Sequence, residues 1–203
     1  KELLKLKKQK IPFVVVDRSF EKVESHTIII NNFQAGYKAT ERLIKNNRKN
    51  IAILNINSQL VTMQHRVQGY LNALTKNGLT ANQALIKQLQ FSHDKELIKK
   101  AIEEILVAGA DALLFTTGKL TILGIECLKE LGARIPEDIS VISFDDMDAY
   151  RVAYTPISAV VQPLEDMIKE AIRILVDMIE NKQNDDQFEN ITMDVNFIYR
   201  ESC

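Results

Sequence analysis

Three aspartates that follow a short apolar run are the first candidates for chemistry in this sequence. Asp145, Asp146 and Asp148 come after SVISF, residues 140–144, a β-rich run typical of a buried strand in a covered parallel sheet. In open α/β sheets ligands bind beyond the carboxyl ends of the strands, so these carboxylates are well placed to meet a polar ligand. They could bind a small molecule, hold magnesium, act as acid and base, or form a solvated acidic turn.

A single arginine is the second candidate. Arg66 follows the strand-like run 51–56 and stands at the start of a helical pattern that Gly78 closes. A guanidinium at a helix start is unfavourable for the helix dipole, which indicates an anionic or hydroxyl-rich partner. A salt bridge to Asp145 would serve equally well, and the two interpretations are compatible. Both side chains are expected at the carboxyl edge of one parallel sheet, where a ligand hydroxyl could bridge them.

The sequence offers little support for catalysis or for a metal site. It contains no GxSxG nucleophile motif, and His26, His65 and His93 lack the spacing of metal ligands. Gly118 and Lys119 could suggest a phosphate-binding loop, but the first glycine and the hydroxyl residue of that motif are absent. We therefore expect a protein that is not an enzyme and that needs no metal or cofactor.

Charge balance, cysteine content and hydrophobic composition exclude several further classes of protein. Of 203 residues, 46% are hydrophobic and 26% are charged, and 26 basic residues against 27 acidic ones give a net charge of -1. This balance excludes the basic surface of a protein that binds nucleic acid unaided. Cys127 and Cys203 form neither a disulfide framework nor a zinc motif, which favours a reducing cytoplasm. The sequence contains no apolar run of about 18 residues, so it predicts no membrane-spanning helix.

The candidate residues are positioned by alternating strand and helix patterns. This alternation predicts an α/β fold with a parallel sheet flanked by helices and joined by right-handed crossovers. A long helix with an apolar stripe should follow Pro163, and a polar stretch, 181–190, looks like a flexible connection. The predicted strands are 11–16, 27–30, 51–56, 84–91, 112–115, 140–144, a run after Pro156, and 191–200.

Five motifs carry a resemblance to a known family. They occur in the family's order, they span nearly the whole chain, and together they resemble the effector-binding core of the lactose-repressor and galactose-repressor family of bacterial transcription regulators. The motifs are IPFVVVDR (11–18), RVQGYLNAL (66–74), IPEDISVISFDD (135–146), YTPISAVVQP (154–163) and YRESC (199–203).

The resemblance implies a two-lobed core like that of periplasmic sugar-binding proteins, with the effector held between the lobes. Residues 1–30 and 162–190 would be remnants of the N-terminal lobe, and residues 31–161 and 191–203 would form the C-terminal lobe. Most of the first lobe and the helix-turn-helix DNA-binding domain are expected to be absent from this chain.

The resemblance also implies roles for particular residues. Asp17 matches a carboxylate that hydrogen-bonds effector hydroxyls, although it could instead cap its strand. Arg66 matches the arginine that grips the effector, and Gln162 matches a further effector contact. Phe91 matches an aromatic side chain that stacks on the effector ring, although a lone phenylalanine is as often part of a core.

One stretch departs from the family. Many members carry asparagine and aspartate where this chain has Thr117 and Gly118, which puts the usual ligand in doubt. The predicted effector-binding residues are therefore Asp17, Arg66, Phe91, Thr117, Asp145 and Gln162.

These observations predict the effector-binding and dimerisation domain of a bacterial transcriptional regulator that senses a small molecule, a sugar or sugar derivative. Operator DNA would be bound only through the missing N-terminal domain, the protein would act as a cytoplasmic homodimer, and no membrane would be involved. The alternative is the periplasmic sugar-binding component of a transporter. An enzyme in which Asp145, Asp146 and Asp148 bind magnesium fits the sequence least.

Overall fold

The chain folds into two compact units, each with its own sheet. The computed structural model describes residues 2–18, 20, 23–58, 60–90, 94–180 and 188–203. The first unit comprises Lys1–Asn31 and Gln162–Val195, and the second comprises Asn32–Val161 and Asn196–Cys203.

Helices and strands alternate over most of the described chain. The helices are α1 (Glu2–Lys8), α2 (Asn32–Lys45), α3 (Val61–Lys76), α4 (Lys95–Val107), α5 (Gly118–Glu130) and α6 (Leu164–Glu180). The strands are β1 (Val14–Val16), β2 (His26–Ile30), β3 (Ile51–Asn57), β4 (Ile86–Gln90), β5 (Ala112–Phe115), β6 (Ser140–Phe144), β7 (Ser158–Val161), β8 (Asn190–Met193) and β9 (Asn196–Ile198).

The second unit contains a six-stranded sheet in the order β4-β3-β5-β6-β7-β9. Its first five strands are parallel, and β9 alone runs antiparallel, beside β7. Every residue of β5 and β6 is buried, which explains why both runs lack charged residues and are largely apolar in the sequence. The α/β class predicted from the sequence is confirmed. The carboxyl ends of β3, β5 and β6 meet at one edge, which is where the candidate residues Arg66, Thr117 and Asp145 lie.

The first unit contains a three-stranded parallel sheet in the order β1-β2-β8. Helix α6 packs against β1 and β2 and buries Met167 and Ile174. Its opposite side carries an exposed apolar stripe, whose members are 42–65% exposed: Leu164, Ile168, Ile172, Val176 and Ile179.

The structure corrects two strand predictions. The run 84–91 begins as a 3-10 turn, Gln83–Leu85, and only then becomes β4. The single strand predicted over 191–200 is two strands, because β8 pairs with β2 and β9 pairs with β7. Residues 191–195, assigned from the sequence to the same lobe as 196–203, consequently lie in the first unit. Most of the predicted connection 181–190 lies outside the described residues.

Candidate functional site

Three of the predicted residues lie at one edge of the sheet in the second unit. Asp145 follows β6, Thr117 lies two residues beyond β5, and Arg66 is in α3, the helix after β3. Arg66 contacts the residue immediately before each of the other two, namely Thr116 and Phe144. The strand ends therefore bring this arginine, hydroxyl and carboxylate into one region, as the parallel-sheet argument predicted.

Arg66 is a buried cation held in one orientation. Only 3% of it is exposed. Its Nε donates to Asn32 Oδ1 at 2.8 Å, its Nη1 donates to the carbonyl oxygen of Thr116 at 2.5 Å, and its guanidinium lies 4.1 Å from the centre of the Phe144 ring. Desolvating a guanidinium is costly unless hydrogen bonds and aromatic contacts compensate. These contacts compensate, and they also fix the side chain at the strand ends.

The sequence argument for Arg66 was wrong in one respect. Helix α3 begins at Val61, so Arg66 lies in its second turn and not at its start. The helix dipole acts mainly within the first turn, so it does not explain this arginine. The contacts with Asn32, Thr116 and Phe144 do.

Two glycines allow α3 to bring Arg66 close to α2. A Cβ atom on Gly36 would lie 2.3 Å from the carbonyl oxygen of Arg66, and one on Gly69 would lie 2.1 Å from the carbonyl oxygen of Phe33. Backbone atoms cannot yield at such distances, so any side chain here would push the helices apart. Close packing of α2 and α3 thus keeps Arg66 within reach of Asn32.

Thr117 caps the helix that follows β5. Its Oγ1 accepts a hydrogen bond from the backbone N–H of Leu120 at 3.3 Å, which satisfies one of the exposed donors at the start of α5. Beneath it, the buried Thr116 hydroxyl donates to Asn55 Oδ1 at 2.8 Å and ties the ends of β5 and β3 together. A capping hydroxyl retains its own proton, so Thr117 can donate to a ligand while it caps the helix.

The three aspartates after β6 play different parts. Asp145 is half-buried and has a left-handed backbone, with φ 65°. Asp146 points into a bidentate ion pair with Arg200, at 2.7 and 2.8 Å, which holds the pKa of its carboxyl below the ordinary value. Asp148 is exposed in a 3-10 turn. The acidic run is therefore not a single site: Asp146 fastens the end of the chain, and Asp145 is the carboxylate at the candidate edge.

A buried group of hydroxyls supports the loop after Asp145. Tyr150 Oη donates to the carbonyl oxygen of Gly118 at 3.0 Å and lies 2.9 Å from Ser143 Oγ, which in turn lies 2.6 Å from Thr121 Oγ1. Burial raises the pKa of Tyr150, so this phenol stays protonated.

The glycine at 118 allows Met147 and Tyr150 to pack closely against this turn. A Cβ atom there would lie 2.9 Å from Met147 Sδ and 3.3 Å from Tyr150 Oη. An aspartate at position 118, which many members of the resembled family carry, would therefore require Met147 or Tyr150 to move.

Two of the predicted site residues belong to the first unit. Asp17 follows β1 with φ 64°, and its N–H donates to the carbonyl oxygen of Ile28 at 2.9 Å. Gln162 precedes α6, and its carbonyl oxygen accepts from the N–H of Leu164 at 2.8 Å. Phe91 lies outside the described residues, so its predicted stacking role stays a prediction.

Sequence reasoning missed the residues that hold Arg66. Asn32 and Thr116 supply its hydrogen-bond acceptors, Phe144 supplies the ring, and Asn55 braces Thr116. One signal was available: Asn55 is a polar residue inside an otherwise apolar strand, IAILNI, and a buried amide requires a partner. Within the described part of the chain, no three His, Cys, Asp or Glu side chains are grouped as metal ligands, and no helix is long and apolar enough to span a membrane.

Comparisons with known proteins add independent findings. Residues 40–203 match the family of periplasmic binding protein-like domains. The chain is 32% identical over 177 residues to the transcriptional repressor PurR of Vibrio atlanticus, covering 86% of this chain and 52% of that protein. It is 26% identical over 194 residues to the ribose operon repressor of Haemophilus influenzae, covering 95% of this chain and 57% of that protein.

Solved structures agree with these matches. The transcriptional regulator CelR in complex with cellobiose superposes with a TM-score of 0.86 at 27% identity, covering 98% of this chain and 61% of that one. A sugar-binding regulator of the LacI family from Escherichia coli, complexed with phosphate, superposes with a TM-score of 0.82 at 26% identity, covering 99% and 73%. This chain spans about half the length of the curated relatives it matches.

Proposed function

Since the chain belongs to the periplasmic binding protein-like domains of lactose-repressor-type regulators, we propose that it is the effector-binding domain of a bacterial transcription regulator. The relatives carry the names of repressors and regulators, which supports this function over the sugar-binding component of a transporter. We further propose a binding role without catalysis, and a location in the cytoplasm, where a regulator of bacterial transcription acts on DNA.

The observation that carries the proposal is the fixed guanidinium of Arg66 at the strand ends. Its hydrogen bonds to Asn32 and Thr116 and its contact with Phe144 hold the guanidinium in place before a ligand arrives. A side chain that is already ordered loses little rotamer entropy on binding, and the saving strengthens affinity. Asp145 adds acceptors at the same edge. A donor fork beside a carboxylate suits a ligand with neighbouring hydroxyl groups, such as a sugar.

The remaining predicted residues extend this proposal. Thr117 would donate its hydroxyl proton to the ligand, and by resemblance Asp17, Phe91 and Gln162 would contact the same effector. Residues 1–30 and 162–190 would represent part of the family's N-terminal lobe. In the longer protein, a homodimer would bind operator DNA through a helix-turn-helix domain that this chain does not include.

The test compares two aspartates of one loop by calorimetric titration of the full-length regulator. Cellobiose and ribose are the first probes, followed by other sugars and sugar phosphates. Asp145→Asn should weaken binding of the sugar that binds wild type by about tenfold or more, because a charge-assisted hydrogen bond contributes roughly 1.5–3 kcal/mol. Asp148→Asn removes an exposed charge three residues away and should leave affinity unchanged.

Thermal melts of both variants decide between binding and folding. We expect each melting temperature to stay close to that of wild type. Equal affinity in Asp145→Asn and wild type would remove this carboxylate from the site, and the absence of binding across the whole panel would contradict sugar sensing.

A further inference from the structure

From a cavity in the first unit, we propose a second ligand site that takes a planar organic anion, such as an aromatic phosphate or carboxylate. The cavity has a volume of about 480 Å³, within the range of about 300–1,000 Å³ that is usual for small-molecule pockets. It is lined by lysines from α1, by the two aromatic residues Phe13 and Phe188, and by the imidazole of His26.

The cavity lies at the edge of the sheet opposite to the one that carries Asp17. Its lining residues Pro12 and Phe13 precede β1, His26 begins β2, and Phe188 precedes β8. These are the amino ends of three parallel strands, whereas Asp17 follows the carboxyl end of β1. The proposed site is therefore distinct from the effector site and does not rest on it.

Among the described residues, the charge at this cavity is positive and only partly neutralised. Lys7, Lys8 and Lys10 line it together with one described carboxylate, Glu24. Lys7 donates to Glu24 Oε2 at 3.1 Å, whereas no described carboxylate forms a salt bridge with Lys8 or Lys10. Lysines near a helix C-terminus are favourable in themselves. That effect does not explain why three of them converge on one apolar-walled cavity.

The end of α1 produces this convergence. Lys10 has a left-handed backbone, with φ 54°, and its N–H donates to the carbonyl oxygen of Lys7 at 3.1 Å. The next residue, Ile11, donates to the carbonyl oxygen of Leu6 at 3.0 Å. This turn folds Lys10 back beside the last turn of the helix. Lys5, in contrast, pairs with Glu2 at 3.0 Å and does not line the cavity.

The walls suit a flat apolar group. Phe13 and Phe188 provide ring surfaces, and aromatic groups associate with such rings by stacking or edge contacts. Lys7 Nζ already lies 5.1 Å from the centre of the Phe188 ring, so an ammonium borders that surface. A ligand that stacks here would present its anionic group to the lysines.

His26 adds a buried polar group to the lining. It is 3% exposed, and its Nδ1 accepts a hydrogen bond from the N–H of Glu189 at 3.1 Å. Acceptance at Nδ1 places the imidazole proton on Nε2, the nitrogen that can donate to an anion. The cavity thus combines cations, a neutral donor and aromatic walls.

Fluorescence titration of the full chain with naphthyl phosphate, at low ionic strength, tests the proposal. Naphthyl phosphate should bind at least about tenfold more tightly than naphthol or inorganic phosphate, because only the complete molecule uses both walls and lysines. Lys8→Gln and Lys10→Gly should each weaken it by about three- to tenfold. Lys10→Gly is also suited to the left-handed turn, so it should not lower the melting temperature.

Lys5→Gln is the matched control, since it removes the same charge from the same helix but outside the cavity. It should change affinity by less than about twofold. Three results would each overturn the proposal: naphthol binding as tightly as naphthyl phosphate, equal losses in Lys5→Gln and Lys8→Gln, or no binding of naphthyl phosphate at millimolar concentration.

Discussion

The ion pair between Asp146 and Arg200 yields a sharp prediction for stability. The two side chains are 9% and 13% exposed, and two parallel hydrogen bonds of 2.7 and 2.8 Å join them. Arg200 also donates to the carbonyl oxygen of Ile157 at 2.5 Å, so the pair fastens the segment after β9 to the residue that precedes β7. Asp146→Asn would leave one acceptor but no charge opposite a buried guanidinium.

We expect this change to lower the free energy of unfolding of the second unit by about 3 kcal/mol, because removing one partner of a buried pair typically costs 3–5 kcal/mol and asparagine keeps one acceptor. For a protein of this size that corresponds to a fall in melting temperature of about 6–12 °C. Urea unfolding and thermal melts measure it. A loss smaller than about 0.5 kcal/mol would refute the argument, since it is the size expected of an exposed pair.

The same ion pair predicts how the difference in free energy of unfolding between wild type and Asp146→Asn depends on pH. The Arg200 guanidinium keeps the pKa of Asp146 below its ordinary value of 3.8 in the folded protein. The folded state therefore holds the carboxylate ionised at pH values where the unfolded chain takes up a proton. The stabilisation is complete above pH 3.8 and is lost as pH falls through the lower folded pKa. The gap between wild type and Asp146→Asn should be constant from pH 7 to pH 5 and shrink only below 3.8.

Three further predictions follow from other regions. Gly69→Ala should cost about 1–3 kcal/mol of stability in urea unfolding and weaken effector binding, because its Cβ would collide with the Phe33 backbone and displace α3 with Arg66. Burial lowers the pKa of His26 from 6.5, an effect that Glu189 opposes and Arg173 reinforces. The free energy of unfolding should therefore fall as pH decreases below 6.5. His26→Asn keeps a hydrogen-bond acceptor and should remove this pH dependence from the urea midpoints. The exposed apolar stripe on α6 should promote self-association, so the mass measured by light scattering should rise with protein concentration. The double variant Ile168→Gln, Ile172→Gln should have a lower mass at the same concentration. A strictly monomeric wild type would contradict this prediction.

The buried strands were predictable because their short length and the turn residues around them favour a strand over a helix. The runs 112–115 and 140–144 are apolar, short and bounded by turn signals, and both are strands with those bounds. The start of α3 was not predictable in this way. Its first residue, Val61, follows Leu60, which makes no side-chain capping bond, so no serine or aspartate marks the boundary.

Long-range pairing explains the remaining differences. The pattern of residues 191–198 shows an extended chain, but it does not tell which neighbour each half will pair with, and β8 and β9 join different sheets. Likewise, the sequence places Asp145 and Asp146 side by side without showing that Arg200, 54 positions away, takes the second. Local patterns predict elements well, and partners distant in sequence decide what each side chain does.

Asp145 and Asp146, the first two aspartates after β6, show how a proposed ligand contact can be separated from the contact that holds the loop. The left-handed backbone at Asp145 breaks the alternation of the strand. Asp146 is directed into the buried ion pair with Arg200, which anchors the loop. Because the ion pair with Arg200 belongs to Asp146, a change at Asp145 alters the proposed ligand site without removing that ion pair. Asp145→Asn should therefore change affinity and Asp146→Asn should change stability, although the two substitutions are chemically identical and adjacent.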